Sequence, residues 1–241
     1  MSENTIFIRK YINDDENCDL LKVNDREVWR YAGYMGIPDE EEEGLRDTLL
    51  DIKKKTKGIF SYKVCYRRVD ISWKNDMPVL PFTCESKNLA TCIKDCNEII
   101  IFAATIGLEV DRYIARYGRF EPLKGLLLQA YGAERIEALC DYFCDEIKNE
   151  AAAEGLVTTA RFSPGYGDLP LSLQKDVFEL LDCNRKIGIS LGESFLMTPS
   201  KSVTAIFGIK AADKCDGSSE VKSRGHKCSE CKKTDCEYRM E

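Results

Sequence analysis

Apolar and polar positions alternate along this chain in segments of two different periods. The first twenty-five residues mix short apolar stretches with acidic ones, the pattern of an edge element. Residues 25–36 (DREVWRYAGYMG) read as a capped helix, with Asp25 the expected N-cap and a closing glycine. Pro38 opens a second helix. Its acidic first turn (Asp39 to Glu43) and basic end (Lys53 to Lys55) suit the helix dipole, and it should stop before Gly58. The β-branched and aromatic run 59–73 predicts one or two strands, and Ser86 to Asp95 a short helix. Glu98 to Ala104 has the continuous apolar character of a buried strand, and a helix follows from Leu108 to Tyr117. From Pro122 to about Glu154, Leu128, Tyr131, Ile136, Leu139, Phe143 and Ile147 recur at helical spacing, with Gly132 a candidate break. After the turn-rich RFSPGYGDLP come a helix from Leu171 to Leu181 and strands near Ile187 to Leu191 and at Val203 to Ile209. Phe195 and Met197 are expected in the core. Irregular alternation of strands and helices predicts an α+β fold: a twisted mixed or antiparallel sheet flanked by helices, not a doubly wound one.

Charge narrows the function. The 41 Asp and Glu exceed the 35 Lys and Arg, which argues against a nucleic-acid binder. The longest apolar run, Ile99 to Leu108, is about half the ~20 residues a membrane helix needs, so no membrane partner is expected. The N-terminal stretch has no apolar core of secretory type, and the expected location is cytoplasmic. In that compartment the 12 cysteines read as thiols or metal ligands. Cys92 with Cys96, and Cys140 with Cys144, have helical i,i+4 spacing and read as buried small hydrophobes.

Two uncommon motifs occur in order: RFSPGY at 161–166 and GESFLMTPSKSV at 192–203. Together with TIGLEVDRYIARY upstream, they resemble the activation domain of cobalamin-dependent methionine synthase, where R-x-x-P-G-Y and E-S-x-x-M-x-P-x-x-S-V segments recur. The resemblance covers roughly residues 98–209, and Gly192 stands where the larger domain commonly has threonine. It implies an S-adenosylmethionine site built from Arg161, Ser163, Gly165, Tyr166, Glu137 and Glu193. The residue chemistry agrees. Pro164 and Gly165 allow a loop that presents backbone amides closely, and the planar fork of Arg161 suits the carboxylate of the methionine moiety. Tyr166 offers a flat face to adenosine or to the sulfonium, and Glu137 and Glu193 are the candidates for the ammonium and ribose hydroxyls. The resemblance also implies a role: supporting reductive methylation of cob(II)alamin on a partner, a cobalamin-dependent methyltransferase or corrinoid protein, within methionine biosynthesis. A reductant such as flavodoxin or ferredoxin would supply the electron. No cobalamin module is recognisable in the chain, so the reaction is expected in trans. No acid–base or nucleophile constellation stands out either, as expected if catalysis is positional.

This divides the chain into residues 1–97, an N-terminal helical and strand part of the same fold; 98–210, the ligand-binding region; and 211–241, a polar cysteine-rich tail. In the tail Cys215, Cys228, Cys231 and Cys236 form C-x12-C-x2-C-x4-C, a soft-ligand set for an iron–sulfur cluster or zinc. A non-catalytic scaffold or iron–sulfur electron-transfer accessory of a corrinoid protein is the alternative reading. Affinity for S-adenosylmethionine separates the two.

Overall fold

The structure, a computed structural model, describes residues 5–11, 22–34, 36 and 43–212. The first half contains β1 (Phe7–Tyr11), α1 (Asp25–Tyr31), α2 (Glu43–Thr56), β2 (Tyr62–Asp70), β3 (Ser72–Lys74), β4 (Met77–Val79), α3 (Lys87–Cys92), β5 (Glu98–Thr105) and α4 (Leu108–Phe120). The second half contains α5 (Pro122–Ala153), β6 (Leu156–Thr158), α6 (Gln174–Leu181), α7 (Cys183–Ile187), β7 (Ser190–Leu191), β8 (Met197–Thr198) and β9 (Ser202–Ala211).

Five strands form one antiparallel sheet in the order β1-β2-β5-β9-β6. The central strand β5 is apolar because both of its faces are covered. Its Ile100, Phe102 and Ala104 face a core built with α1, α2, α4 and α5, while Ile99, Ile101 and Ala103 face a second core under α3, α6 and α7. The period-2 alternation of a strand thus feeds two cores at once. The register sets Phe102 opposite Ala205 and Ile101 opposite Ile206. Phe143 of α5 packs on Phe102 with ring centroids 5.0 Å apart.

Several local expectations change. The N-cap of α1 is Asn24, whose side chain accepts the Glu27 N–H at 3.4 Å, because the chain is held there by α5: the Asn24 N–H donates to Glu134 at 2.9 Å. The acidic turn expected at Asp39 to Glu43 falls largely outside the described residues. α5 runs through Gly132 without a break. The missing side chain serves a close approach there, since a Cβ would sit 3.2–3.3 Å from Lys201 and Val110. The strand expected from Ile187 begins as α7, and only Ser190–Leu191 pair, with β8. Phe195 and Met197 are half-buried at that hairpin; Phe195 has φ 61° in its turn. Asn75 and Asp76, both at positive φ, close the β3–β4 hairpin as the mirror-image turn that strand twist favours. Cys96 and Cys140 are buried, but Cys96 lies beyond the end of α3, and Cys92 and Cys144 are partly exposed. No helix among the described residues is long and apolar enough to cross a membrane.

Candidate ligand-binding site

After β6 the chain makes a single bridge to β9: Phe162 N–H donates to the Ile206 carbonyl at 2.7 Å, and Ile206 N–H donates back at 2.9 Å. Strand alternation then sends the two neighbouring side chains to opposite faces. Phe162 packs into the second core, and Arg161 turns to α5.

The loop that follows is closed on itself. Tyr166 N–H donates to Ser163 O (3.2 Å), Gly165 N–H to Leu169 O (2.9 Å) and Leu169 N–H to Tyr166 O (3.0 Å). Pro164 and Leu169 are buried beneath it. Gly165 (φ 95°) and Gly167 (φ 54°) occupy left-handed backbone that side chains disfavour, and a Cβ on Gly167 would come within 2.2 Å of Asn88 Nδ2. Asp168 ties the loop to α3, accepting the Lys87 N–H at 2.8 Å, the Asn88 N–H at 3.2 Å and the Ser86 hydroxyl. The Ser86 hydrogen bond, with the two amides, holds its carboxyl below the ordinary carboxylate range.

At the other end of the loop, Arg161 is only 14% exposed. Its Nη2 binds Glu137, and Asp141 Oδ1 lies 3.2 Å away. These carboxylates are one helical turn apart on α5 and are partly exposed, so water shares them. Burial opposes the guanidinium charge, yet the carboxylates Glu137 and Asp141 around it raise its pKa above the usual value. Burial likewise pushes the Cys140 thiol well up, so it is no nucleophile at neutral pH. Arg161 Nη1 is buried and has no hydrogen-bond partner among the described residues. A buried donor left open costs about 1–3 kcal/mol, and an external acceptor would relieve it. Tyr31 at the end of α1 also feels this site: burial raises its phenol pKa, and the Glu137 charge raises it further.

Of the residues expected from sequence, Arg161 and Glu137 meet directly. Ser163, Gly165 and Tyr166 share the loop, with Tyr166 68% exposed. Glu193 is exposed at the tip of the β7–β8 hairpin and is not an ion-pair partner of Arg161, whose carboxylates are Glu137 and Asp141. Sequence reading missed Asp141, although its position four residues after Glu137 was the available signal. It also missed Asp168, which had none. Among the described residues no group of three His, Cys, Asp or Glu is placed to hold a metal ion, and Cys215, Cys228, Cys231 and Cys236 lie outside the described residues.

The groups present suit an amino-acid zwitterion beside an aromatic or cationic body. One open guanidinium donor fits a carboxylate, two carboxylates fit an ammonium, and an exposed ring stands at the loop tip. Residues 85–215 match the family described as vitamin B12 dependent methionine synthase, activation domain. The fold is similar to the crystal structure of the MetH reactivation domain bound to AdoHcy. The TM-score is 0.65 at 16% identity, over 86% of this chain and 79% of that one.

Proposed function

Because this chain belongs to the vitamin B12-dependent methionine synthase activation-domain family, we propose that it binds S-adenosylmethionine at Arg161 and supports reactivation of a cobalamin-dependent methyltransferase in trans. The observation that carries the reading is the buried Nη1 of Arg161, a charged donor without an acceptor among the described residues. The AdoHcy bound to the similar reactivation domain supports it.

The sulfonium of S-adenosylmethionine supplies a methyl group that is already activated, so the protein's part is to bind, orient and exclude water. Arg161 takes the ligand carboxylate. Glu137 and Asp141, which already lean on the same guanidinium, take the ammonium. Ser163 and Gly165 shape the loop, and Tyr166 closes over the adenosine or sulfonium side. Glu193 is assigned to the ribose hydroxyls. The partner carries cobalamin, and a flavodoxin- or ferredoxin-type reductant supplies the electron. In the tail, Cys215, Cys228, Cys231 and Cys236 bind one metal centre, an iron–sulfur cluster in preference to zinc; metal analysis and the visible spectrum of anaerobically purified protein test this.

The central test is calorimetric titration with S-adenosylmethionine. Arg161→Ala should lose about 1.5–3 kcal/mol of affinity, the range for a charge-assisted hydrogen bond. Methyl transfer should require both a corrinoid protein and a reductant. No binding by the intact protein, or unchanged affinity in a folded Arg161→Ala variant, overturns the assignment.

A further inference from the structure

A second concavity opens where the β2–β5–β9 end of the sheet parts from the C-terminal turns of α5. It is a cleft of about 500 Å³, and none of the Arg161 cluster lines it. Its floor is apolar: Ile100, Ile147 and Ile209 lie beside the Tyr66 ring, which stacks on Phe7 at 5.2 Å. Its rim is acidic. Among the described residues, Asp70, Glu98, Glu150 and Glu154 line it against one cation, Arg68.

The ion pairs at the rim do not cancel this excess. Arg68 is shared between Glu98 and Glu154 (3.0 Å), and Arg9 joins Glu150 (2.6 Å) to Glu146 (3.0 Å). Five carboxylates therefore face two guanidiniums, an excess of three negative charges. Glu150 and Glu154 keep 56% and 53% of their side-chain surface exposed, open to a further cation.

The chain leaves the sheet beside this rim. Ile209 of β9 is part of the cleft floor, and Ala212 N–H donates to the Gly155 carbonyl at 3.3 Å, next to Glu154. Farther along the sequence, Lys222, Arg224, Lys227, Lys232 and Lys233 occur with one carboxylate, Glu230, between them. The link from Ala212 to Lys222 can extend to about 33–36 Å, so reach is no obstacle. A tether this short gives an effective concentration on the order of millimolar, enough for modest attractions to hold.

We propose that the basic segment Lys222–Lys233 docks onto the acidic cleft between the end of α5 and the β2–β5–β9 end of the sheet of its own chain. The lysine and arginine stems cover the apolar floor while their charges meet Glu150 and Glu154. The docking draws on charge and tether alone and does not depend on S-adenosylmethionine binding or on a tail metal.

The test uses the full chain and the variant Glu150→Gln/Glu154→Gln, with folding checked by circular dichroism and by S-adenosylmethionine titration. Trypsin should cut between Lys222 and Lys233 at least tenfold more slowly in the wild type than in the variant at low salt. The difference should vanish in 1 M salt, where the screening length falls to about 3 Å. Zero-length carbodiimide coupling should join Glu150 or Glu154 to lysines of the segment within one chain. Equal cleavage rates at low salt, couplings that map elsewhere, or couplings only between two chains would each overturn the proposal.

Discussion

Two largely enclosed arginines, Arg135 on α5 and Arg161 against it, are treated differently. Arg135, with a side chain 2% exposed, donates from Nε and Nη2 to both oxygens of Glu134 at 2.5 and 2.7 Å. Its Nη2 also reaches the Lys22 carbonyl at 2.9 Å, and the ring of Tyr131 lies 5.8 Å from its guanidinium carbon. Glu134, itself 3% exposed, accepts the Asn24 N–H. This network fastens the start of α1 to α5 and spends its hydrogen bonds inside the fold. Arg161 is less enclosed, its carboxylates are partly in water, and one of its nitrogens has no acceptor among the described residues. A saturated buried ion pair is a fastening; an incomplete one keeps donor capacity for a ligand, the role proposed for Arg161.

The largest effect should come from breaking the fastening. Arg135→Met leaves the Glu134 charge buried with the Asn24 amide for company, and should cost about 3–5 kcal/mol of unfolding free energy in urea. Its affinity for S-adenosylmethionine should stay within about twofold of wild type in whatever remains folded. A loss of affinity as large as that of Arg161→Ala would erase the distinction.

Arg161→Ala should show the reverse profile. Its stability should fall by only about 1 kcal/mol, because Glu137 and Asp141 can turn to water, as partners in exposed pairs do. A urea midpoint as low as that of Arg135→Met would make it a second fastening.

Gly167→Ala probes the loop that carries Arg161. The left-handed backbone and the approach of Asn88 should together cost about 1–2 kcal/mol, with a several-fold loss of ligand affinity. Unchanged affinity would detach loop shape from binding.

The smallest effect concerns pH. Ser86 and the α3 amides hold the Asp168 carboxyl below its ordinary pKa, so its folded value lies under its unfolded one. The contribution to stability is complete above about pH 4 and is lost as the pH falls through the folded value. Asp168→Asn should therefore lower stability slightly at neutral pH, converge on the wild type below the folded pKa, and so flatten the acid side of the profile. An unaltered acid limb would show that Asp168 is not the anchor.

How far the sequence could be read follows the range of the interactions. β5 and α5 announce themselves because a run of Ile99, Ile100 and Ile101, or apolar residues at helical spacing, is a local signal. The loop was legible because Pro164 and Gly165 dictate backbone shape from their own chemistry. Glu137 was reached through the family pattern, while its helical neighbour Asp141 shared the site unnoticed. The N-cap moved from Asp25 to Asn24 because a contact with Glu134, distant in sequence, fixes where the chain enters. Gly132 misled for the same reason: what it accommodates is Lys201, from another element altogether. The helix α7 is short and is set by packing on β2 and β5, which no local period encodes.

The unbroken course of α5 has one more consequence. As a straight rod its 32 residues would span about 48 Å, so Glu137 and Glu154 are spaced some 25 Å apart like marks on a ruler. That is about three screening lengths at physiological ionic strength, so the charges at the two marks barely feel each other. Events at the two marks should therefore add as independent free energies.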